Sequence, residues 1–245
     1  MNKINQEKIR ELKRIINESN NIVFFGGAGV STASGLKDFR SKDGLYNEKN
    51  NLLNISPEFM LSATCFYSFT QEFYKYYKAN MNSLNVKPNI VHNYLTKLEQ
   101  LGKLKAIITQ NIDGLHQKAG SKNVLELHGT IYKNHCIKCG KEYSAEYVFN
   151  CEDIPRCECG SIIKPNVVLY GEMLPEDFAL AEKYISECDT LIVAGTSLTV
   201  EPAASLINYF RGKNLVIINN DETPYDKRAT LIINDDLSNV FKFLS

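Results

Sequence analysis

No long hydrophobic run, no surplus of charge of either sign, no internal repeat and no low-complexity tract occurs in this chain of 245 residues. The apolar runs around Ile22, Leu191 and Leu215 are far too short to cross a bilayer, which takes about 20 residues. Lys and Arg number 28, as do Asp and Glu, so the formal net charge is zero. A general nucleic-acid binder would carry a basic surplus, although a local acidic patch could still receive a basic peptide. The N-terminus lacks the apolar core of a signal peptide. Ile4, Ile9, Leu12, Ile15 and Ile16 stand among charged neighbours there, the spacing of an amphipathic surface helix. Nor are the cysteines an even set spread along the chain, as in a secreted disulfide framework. There are seven, and five fall between 136 and 159, four of them in two close pairs. The expectation is a cytosolic protein.

What is present suits one large domain, or one domain with an insertion, around a real core. Hydrophobic residues make up 44% and charged residues 23%, as in ordinary globular chains. Ile22-Val23-Phe24-Phe25 opens a short strand that ends in Gly26-Gly27, and further strands are predicted at 105–109, 124–127, 190–194, 214–218 and 230–233. Helical patterns over 90–101 and 175–187 fall between them, and this alternation implies a parallel sheet wrapped by helices. Two segments break the rhythm. Residues 41–88 hold no strand, are rich in Tyr and Phe, and read as helical over 57–60 and 70–78; residues 132–165 hold the cysteines in turn-rich surroundings. Both are read as insertions that fold together into a smaller lobe, leaving 1–40, 89–131 and 166–245 to the sheet domain.

The densest chemical signal is T-Q-N-I-D-G-L-H over 109–116, with His128-Gly129 shortly after. Gln110, Asn111 and Asp113 arrive together where the strand through Ala106-Ile107-Ile108 should end, and ligands of open α/β sheets bind at the carboxyl ends of strands. Gly27-Ala28-Gly29-Val30-Ser31-Thr32 follows the first strand. Glycines there let a backbone approach a pyrophosphate, and a following helix would aim free N–H groups at it. The same pattern is also the form of a tight strand-to-helix connection. The acidic residue expected about 20 residues on in an ordinary dehydrogenase is not recognisable. Gly195-Thr196-Ser197 and Asn219 end two later strands; their hydroxyls and amide suit ribose and phosphate, and helix capping by Thr196 or Ser197 explains them equally.

Cys136-x-x-Cys139-Gly and Cys157-x-Cys159-Gly form two pairs with 17 residues between Cys139 and Cys157. Four thiolates from two such turns suit one tetrahedral zinc ion, and a closed four-thiolate site is structural because no position is left for water. The second pair is shorter than the usual C-x-x-C, so Cys151 or His135 stay open as alternative ligands. Cys65 and Cys188 read as core residues.

Together these segments resemble the sirtuins, the NAD-dependent protein deacylases, over nearly the whole chain. The resemblance implies a Rossmann-like sheet with a small lobe made of a helical module (41–88) and a zinc module (132–165), substrates lying in the cleft between. It implies Ala28, Gly29, Thr32, Asp38, Phe39 and Arg40 as NAD-binding, with Phe39 over the nicotinamide side and Arg40 near the phosphates. Lys37 stands where the family usually has proline. Gly195, Thr196, Ser197 and Asn219 would hold the adenosine half, with Asp236 near the adenine. Gln110 would contact the ribose, Asn111 would position the ribose and a water, and Ile112 and Asp113 would hold the carboxamide. His128 would be the general base, a role its ordinary pKa near ~6.5 allows, while His92 and His116 are read as structural.

Val168, Leu169, Tyr170, Gly171 and Glu172 resemble the segment on which the substrate peptide pairs as an added strand. Tyr74 and Tyr77 fall where desuccinylating members carry Tyr-x-x-Arg; without the arginine a neutral acyl group is implied, acetyl first. The implied reaction moves the acetyl group of acetyl-lysine onto ADP-ribose and releases nicotinamide and O-acetyl-ADP-ribose. Longer neutral acyl chains, or mono-ADP-ribosyl transfer from the same NAD site, are the alternatives. A zinc-ribbon module for nucleic acid fits poorly with zero net charge. Acetylated lysine in proteins or peptides is the implied partner, with no specific nucleic acid and no membrane.

Overall fold

The computed structural model describes residues 3–39, 44–47 and 55–245. Nine strands appear among them: β1 (Ile22–Gly26), β2 (Leu104–Thr109), β3 (Val124–Glu126), β4 (Gly129–Cys136), β5 (Glu142–Tyr143), β6 (Ile163–Val167), β7 (Thr190–Ala194), β8 (Asn214–Ile218) and β9 (Leu231–Ile233). Every strand read from the sequence is there, with ends displaced by no more than one residue. Six of them form one sheet in the order β3-β2-β1-β7-β8-β9, all parallel. All residues of β1 and of β7 are buried, which is why both read as unbroken apolar runs rather than as alternation.

The chain winds outward from β1 on one side and from β7 on the other. The direction reverses between these two central strands, so a crevice opens at their carboxyl ends. Helices Lys3–Glu18, Ile90–Gln100 and Leu237–Leu244 cover one face, packing Leu12, Leu95 and Phe241 against Phe24, Ile107 and Val216. Helix Asp177–Glu187 and the 3₁₀ segment Ala203–Tyr209 cover the other, with Ile185 and Leu206 against Phe25, Ile108 and Val193. Among the described residues no helix is long and apolar enough to cross a membrane.

One local expectation differs from the structure. The helix expected after Gly27-Ala28-Gly29 is replaced by two single 3₁₀ turns, Ala28–Val30 and Thr32–Ser34, the second stopped by Gly35 in the left-handed region (φ 91°). The glycines nevertheless have a clear physical reason. A Cβ on Gly27 would stand 2.7 Å from the Thr196 Cβ, and one on Gly29 would stand 2.8 Å from the Gly195 Cα. Gly29 N–H donates to the Gly195 carbonyl at 2.9 Å. The loops after β1 and β7 therefore interlock backbone to backbone, and this contact alone demands glycine.

The remaining strands form a three-stranded antiparallel sheet, β5-β4-β6. Its core joins Ile131, Val148 and Ile163 to Phe66, Phe73, Tyr74 and Tyr77 of helices Ala63–Ser68 and Thr70–Asn80. Helix Pro57–Met60 begins as its sequence suggests, with proline in its first turn and the Ser56 side chain accepting from Phe59 N–H. Cys65 and Cys188 are buried.

Candidate active site

A cavity of about 410 Å³ opens over the carboxyl ends of β1, β2 and β7. It is lined by Ala28, Gly29, Thr32, Asp38 and Phe39 after β1, and by Gln110, Asn111, Ile112 and Asp113 after β2. Gly195, Thr196 and Ser197 after β7, Asn219 after β8, and Asp236 also line it. His128 and the segment Val168, Leu169, Tyr170, Gly171, Glu172 close it on the side of the small sheet. Of the candidates read from the sequence for cofactor, catalysis and substrate, only Arg40 is not placed here; it lies outside the described residues.

The loop after β2 is locked from several directions. Gln110 N–H donates to the Gly26 carbonyl at 2.9 Å, extending the pairing of β1 with β2 by one bond. Ser31, buried at 2% exposure, is the hub. Its hydroxyl donates to Asp113 Oδ2 at 2.7 Å and accepts from Asn111 Nδ2 at 3.0 Å. Asp113 Oδ1 accepts from Leu115 N–H at 2.9 Å. Burial pushes the Asp113 carboxyl above its ordinary pKa, and the Ser31 and Leu115 donors pull the other way. Ser31 was not singled out from the sequence, although it sits inside the glycine-loop motif; its partners lie 80 and 82 residues away.

His128 Nδ1 lies 2.9 Å from the carbonyl oxygen of Gln110. A carbonyl can only accept, so Nδ1 carries the proton and Nε2 keeps its lone pair. Burial lowers the His128 pKa below the ordinary 6.5, which the Gln110 carbonyl partly offsets. The ring is therefore a neutral base at physiological pH. His92 and His116 differ. They are fully buried with ring centroids 4.7 Å apart, and burial pushes them down to about 4 and about 3. Neither lines the cavity.

Two features test the implied cofactors. The Gln110 amide nitrogen is buried and without a partner among the described residues, although its oxygen is the acceptor for the Thr196 hydroxyl at 3.4 Å. A free donor beside His128 and Asn111 fits a ribose hydroxyl or ring oxygen. The Sγ atoms of Cys136, Cys139, Cys157 and Cys159 lie within 4.8 Å of one another. Cys139 N–H and Cys159 N–H each donate to the first sulfur of their turn at 3.5 Å. Gly140 and Gly160 close both turns in the left-handed region (φ 72° and 82°). The four-sulfur donor set fits zinc, with every tetrahedral position taken. Cys151 and His135 stand outside the cluster; His135 Nδ1 bonds instead to Asn166 Oδ1.

On the substrate side, Tyr170 N–H donates to the Leu61 carbonyl and Ala63 N–H donates to the Tyr170 carbonyl, each at 3.0 Å. Tyr74 turns away, its hydroxyl donating to the Ile163 carbonyl. Tyr77 lines the cavity, and Lys37 is its one lysine or arginine among the described residues.

Comparison with known proteins follows the same outline. The Sir2 family model matches residues 27–202. An NAD-dependent protein deacetylase of Clostridium acetobutylicum is 54% identical over 96% of this chain and 97% of its own. One of Staphylococcus epidermidis is 49% identical over 96% and 95%. Among solved structures, a Sir2 complex with a deacetylated p53 peptide and 3′-O-acetyl-ADP-ribose superposes with a TM-score of 0.87 at 40% identity, covering 96% of this chain and 95% of that one. A Sir2–p53 peptide–NAD+ complex gives 0.84 at 40% identity, covering 96% of each.

Proposed function

The chain belongs to the Sir2 family, and on that premise we propose that it is an NAD-dependent protein-lysine deacetylase. It transfers the acetyl group of acetyl-lysine to ADP-ribose and releases nicotinamide and O-acetyl-ADP-ribose. The observation that carries this reading is the tautomer of His128: its Nδ1–H is committed to the Gln110 carbonyl at 2.9 Å. Nε2 is thereby left as the proton acceptor in the cavity shared with Asn111 and Asp113.

NAD, when bound, supplies the ribose carbon that receives the acyl oxygen and the nicotinamide that leaves. His128 Nε2 takes a proton from a ribose hydroxyl, and its lowered pKa keeps it unprotonated for that step. The free Gln110 donor holds the ribose. Asn111, fixed by Ser31, positions the ribose and a water. Ile112 and the buried Asp113 hold the carboxamide, and Phe39 covers that side. Ala28, Gly29, Thr32 and Asp38 take the neighbouring phosphates with Arg40, while Gly195, Thr196, Ser197, Asn219 and Asp236 take the adenosine half. Cys136, Cys139, Cys157 and Cys159 hold one structural zinc ion.

The substrate is acetylated lysine in a protein or peptide lying along 168–172, and the acyl group is neutral because no described arginine reaches the cavity. The protein acts in the cytoplasm, without nucleic acid or membrane. The sheet domain comprises 1–40, 89–131 and 166–245, and the small lobe comprises 41–88 and 132–165, with β4 and β6 of the small sheet running across the bounds at 131/132 and 165/166.

The test is mass spectrometry of an acetyl-lysine peptide incubated with and without NAD. Deacetylation only with NAD, accompanied by O-acetyl-ADP-ribose, is the expected result. Nicotinamide release with ADP-ribose left on protein, and no deacetylation, would replace this reading with ADP-ribosyl transfer.

A further inference from the structure

We infer that Lys164 is a positioning residue for the substrate peptide, acting through Glu172 to fix the backbone of 167–172; this rests on the deacetylase reading and deepens it. Lys164 sits on β6, a strand whose side chains pack into the small core, and its own side chain is only 11% exposed. A lysine taken this far out of water needs partners for its charge. The ammonium finds three acceptors: Glu172 Oε2 at 3.1 Å, the Val167 carbonyl at 3.2 Å and the Pro165 carbonyl at 3.4 Å. The ring of Phe66 lies 6.0 Å away on the apolar side.

These acceptors come from both ends of one short piece of chain. Pro165 and Val167 belong to the end of β6, whereas Glu172 lies beyond the turn at Gly171, which adopts φ 93°. The same Oε2 of Glu172 also accepts Leu169 N–H at 2.9 Å, and Glu172 N–H donates to the Leu169 carbonyl at 2.9 Å. Leu169 thus has both backbone groups engaged by one residue, which is itself tied to Lys164. At the near end, Val168 N–H donates to the carbonyl of His128 at 2.9 Å. The segment offered to the peptide is therefore pinned to the catalytic histidine's own backbone at one end and to a half-buried ion pair at the other. Glu172 serves the peptide from beneath, by holding the shape of the strand on which it lies. Preorganised backbone of this kind lowers the ordering cost of peptide binding, so its loss falls on peptide affinity and not on the NAD half of the cavity.

The test compares Lys164→Met, Lys164→Arg and Glu172→Gln with the parent protein in steady-state kinetics, varying acetyl-lysine peptide and NAD separately. Lys164→Met is expected to raise the peptide KM on the order of tenfold. Its NAD KM should stay within about twofold, and exchange of the Leu169 amide should speed up. Lys164→Arg, which keeps the charge, should recover most of the peptide KM. If Lys164→Met does not fold, Glu172→Gln carries the same expectation for peptide KM and Leu169 exchange. A folded Lys164→Met or Glu172→Gln protein with unchanged peptide KM overturns the inference, as does an equal rise in the NAD KM. Should the parent protein deacetylate nothing, the deacetylase reading fails by itself. Anisotropy of a labelled acetyl-lysine peptide and Leu169 exchange then still judge the bracket: variants binding and exchanging like the parent refute it.

Discussion

Gln110 and Leu169 face the same cavity, yet different forces hold them there. Gln110 N–H bonds to the Gly26 carbonyl at the end of the fully buried strand β1. Leu169 N–H is held by a carboxylate, that of Glu172, which is in turn held by a lysine. The NAD side rests on strands whose positions are set by many cooperative backbone bonds and two apolar layers. The peptide side rests on a three-stranded sheet, four sulfurs and one ion pair. The first wall rests chiefly on backbone bonds, with Ser31 tying Asn111 and Asp113 in its loop, and the second depends on a few groups. A single cavity thus joins a stiff half, where the cofactor chemistry is assigned, to a half whose shape can be undone at named atoms.

Removing the metal should therefore have the largest and most lopsided effect. A structural zinc site contributes on the order of 10 kcal/mol to the turns it folds, whereas the ion pair that also ties them, Lys141 to Glu158 at 2.7 Å, is exposed and worth little. Chelation, or Cys139→Ala, should lower the melting temperature and abolish peptide turnover, while ADP-ribose binding by calorimetry persists at reduced affinity. If cofactor binding vanished in step with turnover, the two walls would not be mechanically separate.

His128→Ala tests the stiff half from within. General-base catalysis contributes roughly 10²–10⁴-fold, and loss of at least that much deacetylation is expected, with an unchanged melting temperature because the Gln110 carbonyl it leaves borders the cavity. The pH profile sharpens the assignment. Burial lowers the folded-state pKa below 6.5, so the base form persists across neutral pH, and kcat/KM should fall only as pH drops below that value. An acid limb centred at 7 or above would contradict the assignment.

The acyl group tests the other wall. A carboxylate entering a cavity without a guanidinium loses solvation and gains no bidentate partner, Lys37 being the one lysine or arginine described in the lining, and hydrogen bonds to charged groups are worth about 1.5–3 kcal/mol. Acetyl release should exceed succinyl release from the same peptide by at least about tenfold in kcat/KM. Equal rates would show that a cation, Lys37 of the lining or one outside the described residues such as Arg40, reaches the acyl end.

The same division decides what could be read from the sequence. Strands β1, β7 and β8 are buried on both faces, so their apolar runs announce them, and the polar residues at their ends follow in order. The cysteine spacing is local and equally legible. Ser31 and Lys164 were not, because their roles are made by partners that sequence does not place. Ser31 looks like any small residue in a glycine loop until Asn111 and Asp113 fold onto it. Lys164 lies in a segment that reads as turn-rich, and its role appears only when Glu172 turns back beneath it. The glycine loop carries the opposite lesson: its motif pointed to a phosphate, yet contact with Gly195 and Thr196 already requires the glycines.

Asp236 gives the smallest and most discriminating prediction. Family resemblance places it near the adenine, and it does line the cavity. Its carboxylate, however, accepts Ser238 N–H at 2.8 Å as the N-cap of helix Leu237–Leu244, which packs Val240 and Phe241 into the large core. Losing such a cap costs about 1 kcal/mol. Asp236→Ala should therefore reduce unfolding free energy by about that amount, measured in urea, and Asp236→Asn, which can still cap, should recover most of it. If the cap is the main role, the NAD KM changes little in either variant. A rise in the NAD KM of Asp236→Asn at full stability would instead show the carboxylate at work on the adenosine, extending side-chain dependence to the wall that the parallel sheet otherwise holds by its backbone.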